Sequence, residues 1–293
     1  MQKMIGRLLL KNNNSPSESG NFHLIRQFTV KEIRRATVGF NLVLGTDPRG
    51  NVYKAQFSDG DFAVVRKLRR FSHHGDDDHD GFFYKEVELI GGLHHRNLVR
   101  LQGFSNGRRN RFLLMEYMEN GSLNDCLHDP LKTPLCWKTR LEIAISVAAA
   151  LEYLLFFCDP PVFNISISSK NIFLDENFIA KVCHLGLVEP NNSSLLDPKR
   201  RHIVYQFGVL ILELVTGQSF EIEGAELLRW INQESGSSDS MHKMVDADLG
   251  EDYDVNQLTC LLKIARLCTK RIWDYPRISI RQILRYLQRK LEF

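Results

Sequence analysis

The hydrophobic period changes once along this chain of 293 residues, and that change limits the folds open to it. Up to Gly121 the apolar runs are short and strand-like, with Val52 to Phe57 and Phe62 to Leu68 flanking Ser58-Asp59-Gly60. Asp-Gly between two such runs marks a tight hairpin, because the turn needs residues that tolerate positive φ. Further strands are predicted around Leu98 to Phe104 and Phe112 to Tyr117, with helices at Thr29 to Thr37 and Phe82 to Leu93. Beyond Gly121 the spacing becomes helical. Leu141, Ile145, Ala148, Leu151 and Leu155 fall on one helix face. Helices are also predicted at Val204 to Thr216, Ala225 to Asn232, Val255 to Lys270 and Ser279 to Leu291. A β-rich part followed by a helical part implies two lobes of an α+β fold.

Composition narrows the class. Hydrophobic residues at 43% and charged residues at 25% can fill a core, which excludes a disordered chain. A net charge of +3 is too small to argue for a nucleic-acid partner. No apolar run approaches the roughly 20 residues of a membrane span. The six cysteines are scattered without zinc or redox spacing, which favours a reducing, intracellular setting. Lys3, Arg7 and Lys11 surround Met4, Ile5 and Leu8 to Leu10, a run too short for a signal peptide, and position 2 is Gln2 rather than a myristoylated glycine. Residues 11 to 21 read as a linker. His73 to Asp80, HHGDDDHD, reads as a solvated loop rather than a metal site, because its spacing is irregular.

Three ordered blocks carry more specific information: EVELIGGLHHRNLVRL (Glu86 to Leu101), FLLMEYMENGSL (Phe112 to Leu123) and NIFLDENFIAKV (Asn171 to Val182). Together they resemble the eukaryotic protein kinase domain, in particular the plant receptor-like and receptor-like cytoplasmic kinases, over about Phe28 to Leu291. The resemblance implies a bilobal kinase-like fold: a tail at 1–27, a small β-rich lobe at 28–117 and a large helical lobe at 118–293. It implies a hinge at Glu116-Tyr117-Met118, with Met115 guarding the back of a nucleotide pocket. With only residues 1–27 before the kinase-like region, a receptor ectodomain and span are expected to be absent.

A fold does not establish a chemistry, so each position is weighed on its own residue. Phosphoryl transfer needs phosphates held close, magnesium on oxygen ligands and a carboxylate orienting the attacking hydroxyl. In the stretch matching the family's glycine-rich loop, Gly45, Gly50 and Val52 match, but Asp47 replaces the middle glycine and Pro48 follows it. A carboxylate repels phosphate and proline removes a backbone donor, so a plain hairpin closure is the favoured reading. The third-strand lysine is Arg66, a wider planar fork that can still pair with Glu86, the match to the family's helix glutamate. The family's His-Arg-Asp reads Asn164-Ile165-Ser166, and the lysine two residues on is Ser168. A neutral serine hydroxyl cannot accept a proton as a carboxylate does. Asn171 matches a magnesium ligand, and its structural role would be to brace the loop. Asp-Phe-Gly reads His184-Leu185-Gly186, and imidazole is a poor partner for a hard cation.

The interval from His184 to Ile203 is too short to hold the family's peptide-docking segment, which leaves Arg277 without its usual glutamate. Ile203 replaces the aspartate that ties down the catalytic loop, so those backbone groups need other partners. Loss of one general base alone costs about 10²–10⁴ in rate. The expectation is a catalytically inactive kinase-like module, a pseudokinase acting through contacts with other protein kinases or receptor complexes. No metal, weak or absent ATP/Mg binding, a cytoplasmic location and at most a peripheral association with the plasma membrane's inner face complete it. The alternative is a weakly active or atypical Ser/Thr kinase.

Overall fold

The computed structural model describes residues 25–47, 50–68, 79–107, 110–183, 196–233, 242–270 and 278–290. Contacts divide the chain into two compact units: the part up to Gly92 with Arg100–Tyr117, and Leu93–Val99 with the part from Met118 onward.

In the first unit, β1 (Arg26–Gln27), β2 (Val43–Asp47), β3 (Gly50–Gln56), β4 (Phe62–Leu68), β5 (Leu101–Asn106) and β6 (Arg111–Glu116) form one sheet. Its order is β1-β5-β6-β4-β3-β2, antiparallel except for β1 on β5. Burial alternates along the strands, so Tyr53, Ala55, Ala63, Val65, Phe112 and Leu114 share a core with Phe28 and with Ile33 and Ala36 of α1 (Val30–Ala36). Thr29 starts α1 with a capping box: its hydroxyl accepts from the Glu32 N–H, and the Glu32 carboxylate accepts from the Thr29 N–H. The predicted β3–β4 turn is present, with Gly60 at φ 93° and its N–H on the Phe57 carbonyl. The second helix, α2 (His79–Gly92), packs on β5, where Phe83 meets Phe104 edge to face.

The second unit contains α3 (Leu123–His128), α4 (Trp137–Phe156), α5 (Leu196–Thr216), α6 (Phe220–Gln233), α7 (Val255–Thr269) and α8 (Ile280–Lys290). A small sheet joins β7 (Gly121–Ser122), β8 (Ile172–Leu174) and β9 (Ala180–Val182) in that order. Helix α5 packs on α7 at Gly208, where an added Cβ would stand 2.5 Å from the Cys268 Cβ. Helix α4 packs on α8 and β9. Arg140 is 1% exposed inside it, donating to the Leu135 and Leu214 carbonyls and pairing with Asp246 at 2.7 Å. No helix among the described residues is long and apolar enough to cross a membrane.

Several sequence expectations need correction. The single stripe on α4 understates its burial: Ile145 is only half-buried, while Ile143, Ala144, Val147 and Leu154 are fully buried, because the helix is covered on more than one side. Helix α2 begins at His79, so His79 and Asp80 are helical rather than loop; residues 73–78 lie outside the described residues. Helix α5 begins at Leu196 rather than Val204. Its first turns are charged and carry Pro198, which costs little there because first-turn N–H groups have no helical partner. Helix α6 likewise starts at Phe220 rather than Ala225. The run predicted as one strand at Leu98 to Phe104 is split: Leu98 bridges Val182 in the second unit, and β5 starts at Leu101. Asn97 anchors that crossing, its side chain donating to the Ala180 carbonyl at 3.0 Å.

Candidate functional site

Each unit carries its own share of the positions singled out in the sequence. In the first unit, the stretch from Gly45 to Val52 closes the β2–β3 hairpin, with Gly45 opposite Val52 and Asp47 opposite Gly50. Thr46 and Asn51 join side chains across it at 3.3 Å, and Asn51 donates to the Tyr53 hydroxyl. Pro48, Arg49 and the side chain of Asp47 lie outside the described residues. Arg66, half-buried on β4, stands between Val52 on β3 and Leu113 on β6. Glu86 is half-buried on α2, and Met115 is 3% exposed on β6 opposite Val64. The Glu116 carboxylate accepts from the Arg100 N–H at 2.7 Å, and its own N–H donates to the Arg100 carbonyl. Sequence reasoning passed over Lys54. Its ammonium lies 4.5 Å from the Phe62 ring centroid, 4.4 Å from that of Tyr117, and donates to the Tyr117 hydroxyl. Alternation on β3 was the available signal, since it sends Lys54 away from Tyr53 and Ala55.

In the second unit, Met118 is buried and its carbonyl accepts from the Gly121 N–H. The segment Asn164 to Asn171 ends in a 3-10 turn (Ser169–Asn171) leading into β8. Ile165 and Ile167 point into the core at 6% and 3% exposure, which leaves Ser166 exposed between them and Ser168 half-buried. Asn171 braces the loop by donating to the Ser166 carbonyl at 3.4 Å, while its own carbonyl accepts from the Cys183 N–H. Lys199 of α5 donates to the Asn164 side chain at 3.2 Å.

The backbone group left in search of a partner finds one a turn away. Ile203 is 1% exposed in the core of α5, and Gln206, three residues on, presents Oε1 to the Ile167 N–H at 3.2 Å. Positions three apart share a helix face, so a longer side chain at 206 reaches the loop from the same side. Sequence reasoning missed Gln206, and the only available signal was its spacing from Ile203. Below it, the Ser169 hydroxyl donates to Glu213, which is 5% exposed and also accepts from the Phe220 N–H. His184 and Arg277 lie outside the described residues.

The loop thus offers a solvent-facing hydroxyl, amide side chains and an ammonium, with no carboxylate between Asn164 and Asn171. Such groups exchange hydrogen bonds. None of them acts as a general base near neutral pH.

Residues 38–203 match the family model described as protein tyrosine and serine/threonine kinase. The chain is 40% identical over 290 residues to a probable receptor-like protein kinase of Arabidopsis thaliana, an alignment covering 89% of this chain and 43% of that protein. It therefore spans less than half the length of that relative. Among solved structures, the pseudokinase domain of BIR2, an immune regulator of the RLK/Pelle family, is 27% identical with a TM-score of 0.73, over 90% of this chain and 84% of that one. An apo pseudokinase, GRMZM2G135359, superposes with a TM-score of 0.78 at 20% identity, over 96% and 99% of the two chains; that likeness concerns the fold alone.

Proposed function

The chain belongs to the protein tyrosine and serine/threonine kinase family, and from that premise we propose that it is a catalytically inactive member working by protein–protein contact. Its first unit is the β-rich lobe and its second the helical lobe of the kinase fold. The observation carrying the reading is the loop itself. Ser166 stands where the family keeps its proton acceptor, and the loop is tied by Gln206 in place of the residue at Ile203. The fold of the loop is kept while its chemistry is gone. That combination suits a scaffold or regulator whose value lies in its surface.

The partners are other protein kinases or receptor complexes on the cytoplasmic side, in line with its receptor-like relatives and with the immune regulator BIR2. ATP and magnesium bind weakly or not at all. Phosphoryl transfer from labelled ATP, with magnesium and with manganese, tests the reading on purified chain. Incorporation at the level of a doubly substituted Arg66→Ala, Asn171→Ala control is expected. Turnover above that control at an ordinary kinase rate, roughly 1–100 s⁻¹, would overturn it in favour of an atypical Ser/Thr kinase.

A further inference from the structure

We propose that the face shared by α7 and α8 is a docking surface for the anionic headgroups of a lipid bilayer. Neither helix contains an aspartate or a glutamate, yet together they carry Lys263, Arg266, Arg281, Arg285, Arg289 and Lys290. Those charges outnumber the net +3 of the whole chain, so positive charge is concentrated on this helix pair. On α8, Ile280, Ile283, Leu284 and Leu287 are buried, whereas Arg285, Tyr286, Arg289 and Lys290 are exposed. Arg285 and Arg289 are four apart, as are Tyr286 and Lys290, so they form two adjoining rows. On α7, Cys260, Lys263 and Leu267 share one stripe, and Lys263 and Leu267 are exposed. The stripe meets α8 at Cys260. Burial pushes that thiol up, while a hydrogen bond with Tyr286 and the charges of Lys290 and Lys263 oppose the rise, so these side chains gather at one place.

The arrangement decides the partner. Arg281 is held by Glu152 at 3.0 Å, whereas Lys263, Arg285, Arg289 and Lys290 form no ion pair among the described residues. These four cations are strung along helix rows instead of converging on one point, which suits an extended charged surface better than a single ligand. Leu267 and Tyr286 stand among them at 47% and 40% exposure. An apolar and an aromatic side chain flanked by cations match the boundary between membrane and water, where ammonium and guanidinium groups meet headgroups and the ring lies level with them. An acidic polypeptide would satisfy the charges but offer Leu267 no apolar layer.

The inference goes beyond protein–protein contact and gives the peripheral association expected from the sequence a definite surface. Co-sedimentation of the full chain with phosphatidylcholine vesicles, with and without about 30% phosphatidylserine, tests it. Binding is expected to be at least about tenfold tighter to the anionic vesicles and to weaken as salt is raised. Each cation near such a surface is worth about fivefold in affinity, so the triple variant Arg285→Glu, Arg289→Glu, Lys290→Glu should lose about a hundredfold. Lys263→Glu alone should lose about fivefold, and it decides the matter if the triple variant fails to fold. Equal binding to the two kinds of vesicle would overturn the proposal. So would anionic binding that survives these substitutions, which would assign it to another part of the chain such as the tail with Lys3, Arg7 and Lys11. Polyglutamate bound as tightly as the anionic vesicles would place an acidic protein there instead of a bilayer. Any of these failures would leave the protein-contact reading standing, and phosphoryl transfer would remove that reading without touching the preference for anionic lipid.

Discussion

At the scale of single residues, the most informative exchange is the one between positions 203 and 206. A buried N–H left without an acceptor costs about 1–3 kcal/mol, so replacing the aspartate of the family by isoleucine required another oxygen. Gln206 supplies it to Ile167. Gln206→Leu should therefore lower stability by about 1–3 kcal/mol in denaturant unfolding, while Gln206→Glu, which keeps an acceptor, should lose less. Ile203→Asp restores the family residue and should nonetheless destabilise. The site is 1% exposed and the Ile167 N–H is already engaged, so an unpaired buried carboxylate would cost about 3–5 kcal/mol. A stabilised Ile203→Asp chain would show that the loop still relies on the older tie.

Among elements, α1 and α4 respond to different insults. The Thr29 backbone N–H, and after it the Thr29 hydroxyl, hold the Glu32 carboxyl below its usual range. A carboxyl depressed in the folded state stabilises above its unfolded pKa, and the contribution disappears as pH falls through the folded value. Amide exchange at the start of α1 should accordingly quicken below about pH 4, and Glu32→Gln should remove that acid dependence. Arg140 makes the opposite kind of tie, buried and charged, joining α4 to the Leu214 carbonyl and to Asp246. Arg140→Leu should cost about 3–5 kcal/mol by stranding Asp246, and adding Asp246→Leu should recover part of the loss in a double-mutant cycle.

What could be read in advance follows from the same distinction. The helix beginning at Thr29 and the Asp59-Gly60 hairpin were legible because their signals are local. Strands β8 and β9 are three residues each, too short for a period to register. The first turns of α5 were hidden because Lys199 to His202 carry no hydrophobic stripe. Leu98 was joined to the strand that follows it because its own partner, Val182, is distant in sequence. At the site, Ser166 and Ser168 announced themselves by their place in a motif. Gln206 did not, since its role depends on a reach that only the folded helix defines.

For the whole molecule, the prediction concerns ligand linkage. Nucleotide present at 100 times its dissociation constant would add about 2.7 kcal/mol, enough to raise the melting temperature of a chain this size by several degrees. With Ser166 and His184 in place of the family's acids, millimolar Mg–ATP is expected to move it by less than about one degree, measured by scanning calorimetry. Stability here comes from the two cores, and Ser166 and Ser168 lie outside them.

Gly208 shows where such freedom stops. At that point in the helical lobe, two helices approach so closely that only a hydrogen atom fits between them and Cys268. The exposed loop leaves room for exchanges such as Ser166, yet a single methyl group at 208 would force the two helices to shift. Tolerance in this molecule is thus distributed by geometry, generous where water reaches and nearly nil where backbones touch.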